Sequence, residues 1–175
     1  MTNPSIVLPA IDVVDDTVPL SPNQATWALR RQRDKVVAAT QSSHDAMFSH
    51  AVEGLSRTER LLVALHACRV SKASNLAAHY REELAAENAD AAVADAVERG
   101  DIASLADARL RAMLAFAGKL IERPIEGDRA AIEALAAHGL STPALVALSQ
   151  LIAFLSYQIR VVAGLKALAA AEVSA

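Results

Sequence analysis

The sequence predicts an all-α protein, a compact bundle of about seven or eight helices. Three observations carry that expectation. The chain is 53% hydrophobic but only 3% aromatic. Alanine and leucine dominate that apolar content, and alanine favours helix while strands prefer β-branched and aromatic residues. Apolar residues recur at helical spacing from Ser21 onward, and apolar–polar alternation is nowhere sustained.

The first twenty residues hold Pro4, Pro9 and Pro19 and show no helical period. They are expected to form an extended arm (1–20), followed by one helical domain (21–175). Ser21 offers an N-cap, Pro22 suits a first helical position and Gln24 sits three residues after the cap, so a helix is expected to about Thr40. A short helix from "SSHDAMF" follows and breaks at Gly54. "LSRTERLL" is the clearest start signal, with Ser56 and Glu59 spaced as a capping box and Leu55 as its staple. The helix after it, to about Val70, is apolar nearly all round and is therefore expected at the centre of the core.

A helix from about Lys72 to Glu87 comes next, amphipathic through Leu76, Ala77, Tyr80 and Leu84. "NADAAVADAVERG" gives a short helix stopped by Gly100. "SLADARLRAMLAFAGKLIERP" gives another that ends before Pro124. Asp128 caps a helix that stops at Gly139, and the last and longest helix has Pro143 in its first turn.

The net charge of −3 leaves no electrostatic footprint for nucleic acid. The N-terminus lacks the basic and apolar segments of a signal peptide. The longest apolar run, Ala144 to Tyr157, is short for a bilayer span and contains Gln150, so it is expected as a buried or interface helix. The expected location is cytoplasmic, with no membrane partner. The final helix carries apolar residues on several faces, which points to a homo-oligomer with a dimer or trimer unit.

Two stretches carry a family resemblance: "LSRTERLLVALHACRVSKASNLAAHY" and the segment from "DARLRAMLAF" to "QIRVVAGL". Their helical order and their "GLS" turn resemble the carboxymuconolactone decarboxylase superfamily, which includes alkylhydroperoxidase-like proteins. The resemblance implies an alkylhydroperoxidase-like bundle that assembles into oligomers. Peroxidase members carry Cys-x-x-Cys-x-x-x-His, with a glutamate about one helix upstream. Anchoring that pattern on His79 places Lys72 and Asn75 at the two cysteine positions, so this chain lacks the redox dithiol. The glutamate position falls near Leu61 or Arg60, and Glu59 fits with a small shift. In the last helix the family's asparagine position is Ile159, while Arg160 matches its arginine.

His79 and Glu59 are thus the candidate catalytic pair. His79 is either a general acid/base or a helix-surface histidine paired with Glu83 one turn on. Glu59 is either a proton relay or the capping residue its spacing explains. Lys72, Asn75, His66 and Arg160 are the candidate substrate-binding residues, with Lys72, Asn75 and His79 expected on one helical stripe suited to a small organic acid. Cys68, the only cysteine, is the redox candidate, although its apolar neighbours raise a thiol pKa and block access. His44 and His50 read as surface residues, since a spacing of six does not put them on one helix face. No metal site and no cofactor is called for. Three functions remain open: acid/base chemistry on a small organic acid or lactone without a dithiol; a non-catalytic helical binding or assembly module; and a peroxidase using Cys68 alone.

Overall fold

The computed structural model describes residues 12–18 and 20–173. Among them are nine α-helices, two short 3-10 turns and no strand. The helices are α1 (Val13–Thr17), α2 (Ala25–Arg31), α3 (Asp34–Met47), α4 (Arg57–Val70), α5 (Ser74–Ala86), α6 (Ala91–Arg99), α7 (Ala108–Glu122), α8 (Arg129–Ala137) and α9 (Thr142–Val173).

The bundle is organised around α4. Its capping box forms as the sequence spacing requires: Ser56 Oγ accepts from the Glu59 amide at 3.1 Å, and Glu59 Oε2 accepts from the Ser56 amide at 2.7 Å. Every residue from Arg60 to Cys68 is buried. That follows from a helix with almost no polar face, which packs against α5, α6, α7 and α9 at once. Arg60 is the exception in type, buried at 2% exposure. Its guanidinium is absorbed by backbone oxygens of Met47, Ser49 (2.7 Å) and Ser56 (3.3 Å). It thereby ties the end of α3 to the start of α4.

The last helix is the second organiser. α9 packs against α1, α2, α3, α4, α7 and α8. It has the length and composition to cross a bilayer, with a mean hydropathy of 1.6 over its most apolar window. In this structure its Leu148, Leu151, Leu155 and Gln158 are fully enclosed by the other helices.

Four helix ends use the same closing device, a left-handed residue followed by a hydrogen bond back across the last turn. Glycine fills that position at Gly100 (φ 83°) and Gly139 (φ 81°). Lys72 (φ 57°) and Asn88 (φ 55°) fill it at the ends of α4 and α5, with Ala73 donating to the Cys68 carbonyl at 2.8 Å and Ala89 to that of Leu84 at 3.0 Å.

Three sequence expectations change. The helix expected from Ser21 to about Thr40 is broken at Gln32–Arg33, and Gln24, not Ser21, is its N-cap. On either side of that break, α2 and α3 each lie on α9. The segment read as an extended arm contains α1, whose Val13 and Val14, with Val18 just after it, are buried in the core. Residues 1–11 and 19 of that expected arm lie outside the described residues. Finally, α5 begins at Ser74 rather than Lys72, because Lys72 in the left-handed region ends α4 instead of starting the next helix.

Candidate functional site

α3, α5 and α9 bring polar side chains together in the interior. On α3, Val37, Thr40, Gln41 and His44 are its buried residues. They fall at helical spacing, so one face of α3 turns inward and carries His44 with it. His44 is 9% exposed and its ring meets Phe48 at 4.9 Å, His79 at 5.8 Å, and Tyr80 and Phe154 at 6.3 Å between centroids. His79 is half-buried on α5 and lies edge-on to Tyr80 at 5.2 Å. The Tyr80 hydroxyl donates to Gln158 Oε1 of α9 at 2.5 Å, and both residues are fully buried.

Three nitrogens in this cluster have no hydrogen-bond partner while shielded from solvent: His44 Nε2, His79 Nε2 and the Gln158 amide Nε2. Buried polar groups are almost always paired, and here three unpaired ones fall on side chains of a single cluster, while His66 Nδ1, Arg69 Nε and Arg31 Nε are unpaired elsewhere. Burial lowers the pKa of both histidines. The neighbouring His79 lowers that of His44 further, while Asp45 and Glu83 oppose the fall. For His79 the opposition comes from Glu83, Glu82 and Asp16. Both imidazoles are therefore neutral at pH 7, each with one donor and one acceptor nitrogen. Asp45 Oδ1 lies 3.5 Å from His44 Nδ1, which favours a proton there and leaves Nε2 as the acceptor. The Tyr80 hydroxyl is held protonated, its pKa raised well above the usual value by burial first and the neighbouring Cys68 next.

The other sequence candidates sit elsewhere. Glu59 spans the start of α4 and the Arg109 guanidinium of α7, with Oε1 3.0 Å from Arg109 Nε, so the capping role and an ion pair use both oxygens. Lys72 is exposed in the turn before α5, so Lys72, Asn75 and His79 do not form one helical stripe. Asn75 is a strut between helices: its Nδ2 donates to the Thr17 carbonyl at 2.7 Å, and its Oδ1 accepts from Lys166 at 3.2 Å. Arg160 is exposed and folds back onto the Ser156 carbonyl at 2.7 Å.

His66 is 2% exposed in the interior of α4, where its Nε2 lies against Gly118 of α7. Burial, reinforced by Arg69, drives its pKa down to about 4. Cys68 is wholly buried, and burial pushes its thiol up to about 12. Among the described residues no three His, Cys, Asp or Glu side chains gather as a metal cage.

His44 is the residue that sequence reading missed, taken there as a surface histidine. Its signal was present in the spacing Val37, Thr40, Gln41, His44, Phe48, a helical face legible only once α3 is read as one helix from Asp34. Two grooves with clear outlines lie apart from this cluster and are lined by neither His44 nor His79. One of about 240 Å³ separates α7 from α8, and one of about 380 Å³ runs between α2, α3 and α9.

Among solved structures, the chain is similar to an uncharacterized peroxidase-related protein from Silicibacter sp. TM1040, with a TM-score of 0.68 at 17% identity over 91% of this chain and 92% of that one. At that identity the likeness shows the fold: an all-α bundle of the alkylhydroperoxidase-like kind, as the sequence predicts. Neither a family model nor a curated protein matches the chain.

Proposed function

We propose that this protein uses the alkylhydroperoxidase-like fold without thiol chemistry, holding a small organic acid or lactone at the His44–His79 pair and acting on it by acid/base chemistry. The observation that carries this reading is the set of three unpartnered buried nitrogens, on His44, His79 and Gln158. Two neutral imidazoles supply an acceptor able to take a proton and a donor able to return it. The Gln158 amide, its oxygen already engaged by Tyr80, offers its N–H bonds to a carbonyl or carboxylate oxygen. His79 is the half-exposed member and gives the cluster its edge toward solvent.

A thiol route is disfavoured by the burial of Cys68, since the thiolate is the reacting species and its pKa is pushed up to about 12. Cys68→Ser should leave any activity unchanged. The test of the main reading is a screen of small carboxylic acids and lactones. It follows the melting temperature and the imidazole C–H resonances of His44 and His79. Ligands that raise the melting temperature should move both histidine signals and lose their effect in His79→Ala and in His44→Ala. If no ligand acts in a histidine-dependent way, the acid/base reading is wrong.

A second reading, a homo-oligomeric assembly module with a dimer or trimer unit, draws on Ile125 and Val146, both exposed apolar side chains at 93% and 52%. Light scattering would give a mass above one chain that falls in Val146→Glu.

A further inference from the structure

The groove between α2, α3 and α9 has features that the histidine cluster does not explain. Its volume is about 380 Å³, within the range of small-molecule sites. Its walls are apolar, made by Leu29, Val36, Val37, Val161 and Leu165. Leu29 and Val36 are about half exposed, so this apolar surface is open to solvent rather than closed by the fold.

Its polar groups are arranged in two distinct ways. At one position Thr40 Oγ1 lies 2.8 Å from the Val36 carbonyl and 2.9 Å from the Tyr157 hydroxyl. Threonine has one hydroxyl proton, and the carbonyl takes it. Tyr157 must therefore donate to Thr40, and neither hydroxyl keeps a free proton for a ligand.

The cation is different. Arg30 and Arg31, one turn earlier, are held by Asp12 and Asp15. Arg33 also lines the groove, is exposed, and its guanidinium has no ion pair or hydrogen bond among the described residues. An apolar channel with hydroxyls closed to donation and one uncommitted guanidinium matches an amphipathic anion. From Tyr157 to Leu165 the α9 wall runs eight residues, about 12 Å, the length of an alkyl chain of roughly eight to ten carbons.

We propose that this groove binds a free medium-chain fatty carboxylate, its alkyl chain along Val37, Val161 and Leu165 and its carboxylate at Arg33. Carboxylates pair with guanidinium in a two-point geometry that lysine lacks. The site is separate from the histidine pair and stands or falls without it.

The test is isothermal titration of the whole protein with decanoate. Affinity should fall roughly three- to fourfold for each methylene removed on going to octanoate, as burial of the chain requires. Replacing decanoate by decanol, or Arg33 by glutamine, should weaken binding about fivefold, the size of a partly exposed ion pair. Val161→Trp should fill the channel and abolish binding, with circular dichroism confirming the helical fold. Arg33→Gln is an exposed change that leaves the fold intact, so the proposal remains testable should Val161→Trp misfold. His44→Ala and His79→Ala should bind decanoate as the parent does, which separates this site from the acid/base reading. Absence of saturable decanoate binding at millimolar concentration overturns the proposal. So does equal affinity for decanol, or a light-scattering mass that drops in Leu29→Glu while decanoate fails to bind, which would assign the groove to self-association.

Discussion

Two places in this bundle bury histidine, and they treat it differently. His66 lies alone in α4, packed on Gly118, with Arg69 as the only charge acting on it. His44 and His79 face each other among aromatic rings, with carboxylates of Asp45, Glu82, Glu83 and Asp16 opposing the effect of burial. Burial penalises the imidazolium in both places. In the first nothing opposes that penalty, so His66 acts as a neutral core residue down to about pH 4. In the second the surrounding acids oppose the penalty, although burial still lowers both pKa values. His66 Nδ1 is unpartnered too, so the difference between the two places lies in the carboxylates and in the second imidazole: only His44 and His79 have both, and that combination marks them as the candidates for chemistry.

The largest effect that tests this contrast is acid destabilisation. The unfolded chain protonates His66 near its ordinary value of 6.5, while the folded chain refuses the proton until about 4. The unfolded state therefore binds more protons in that window, and stability must fall as pH falls. It should be intact above pH 6.5 and decline by about 3 kcal/mol between there and pH 4, levelling below. Urea unfolding across this range measures the decline. His66→Leu should remove most of it, leaving the smaller decline that the lowered His44 and His79 contribute with the same sign, and an unchanged slope in that variant would assign the effect to other groups.

Packing around His66 gives the next effect. A Cβ at Gly118 would stand 2.9 Å from His66 Nε2, so Gly118→Ala forces the ring or the helix to move. We expect a loss of about 2 kcal/mol, as for other overpacked cores. In a His66→Ala background the same change should be far milder.

On the other side of the comparison, Gln158→Leu removes the acceptor of the Tyr80 hydroxyl and should lower stability by about 1.5 kcal/mol. Adding Tyr80→Phe should recover much of that loss, because the orphaned hydroxyl goes with it. A double-mutant cycle without coupling would show that the two groups are paired elsewhere.

The smallest effect concerns Lys72, which the resemblance read from the sequence implies near the site and the structure places in a turn at φ 57°. Lys72→Gly relieves left-handed strain and should raise stability by about 0.5 kcal/mol, with any ligand response at His79 unchanged. A loss of that response would return Lys72 to the site.

Much of this was legible in the sequence where the signal was local. The capping box at Ser56 and Glu59, the apolar circumference of α4, the glycine stops at Gly100 and Gly139 and the burial of Cys68 follow from neighbours within a turn or two. His44 was not legible for a related reason: one helix boundary was set near Thr40 instead of at Arg33, which broke the face that carries it. Lys72 misled because a left-handed residue is expected to be glycine or asparagine, and nothing in a lysine announces it.

By itself the sequence determined the all-α class, the central place of α4 and the absence of the Cys-x-x-Cys dithiol from the second core helix. These rest on residue type and on periodicity, which act through the nearest backbone and are written in order along the chain. Only the tertiary structure decided that His44 meets His79, that Gln158 holds Tyr80 from 78 residues away, and that Glu59 turns to Arg109. Those contacts depend on how α3, α5, α7 and α9 rotate about their axes when they pack. That rotation is set by the interlocking of many small alanine and leucine side chains at once, a collective property that no single stretch of sequence encodes.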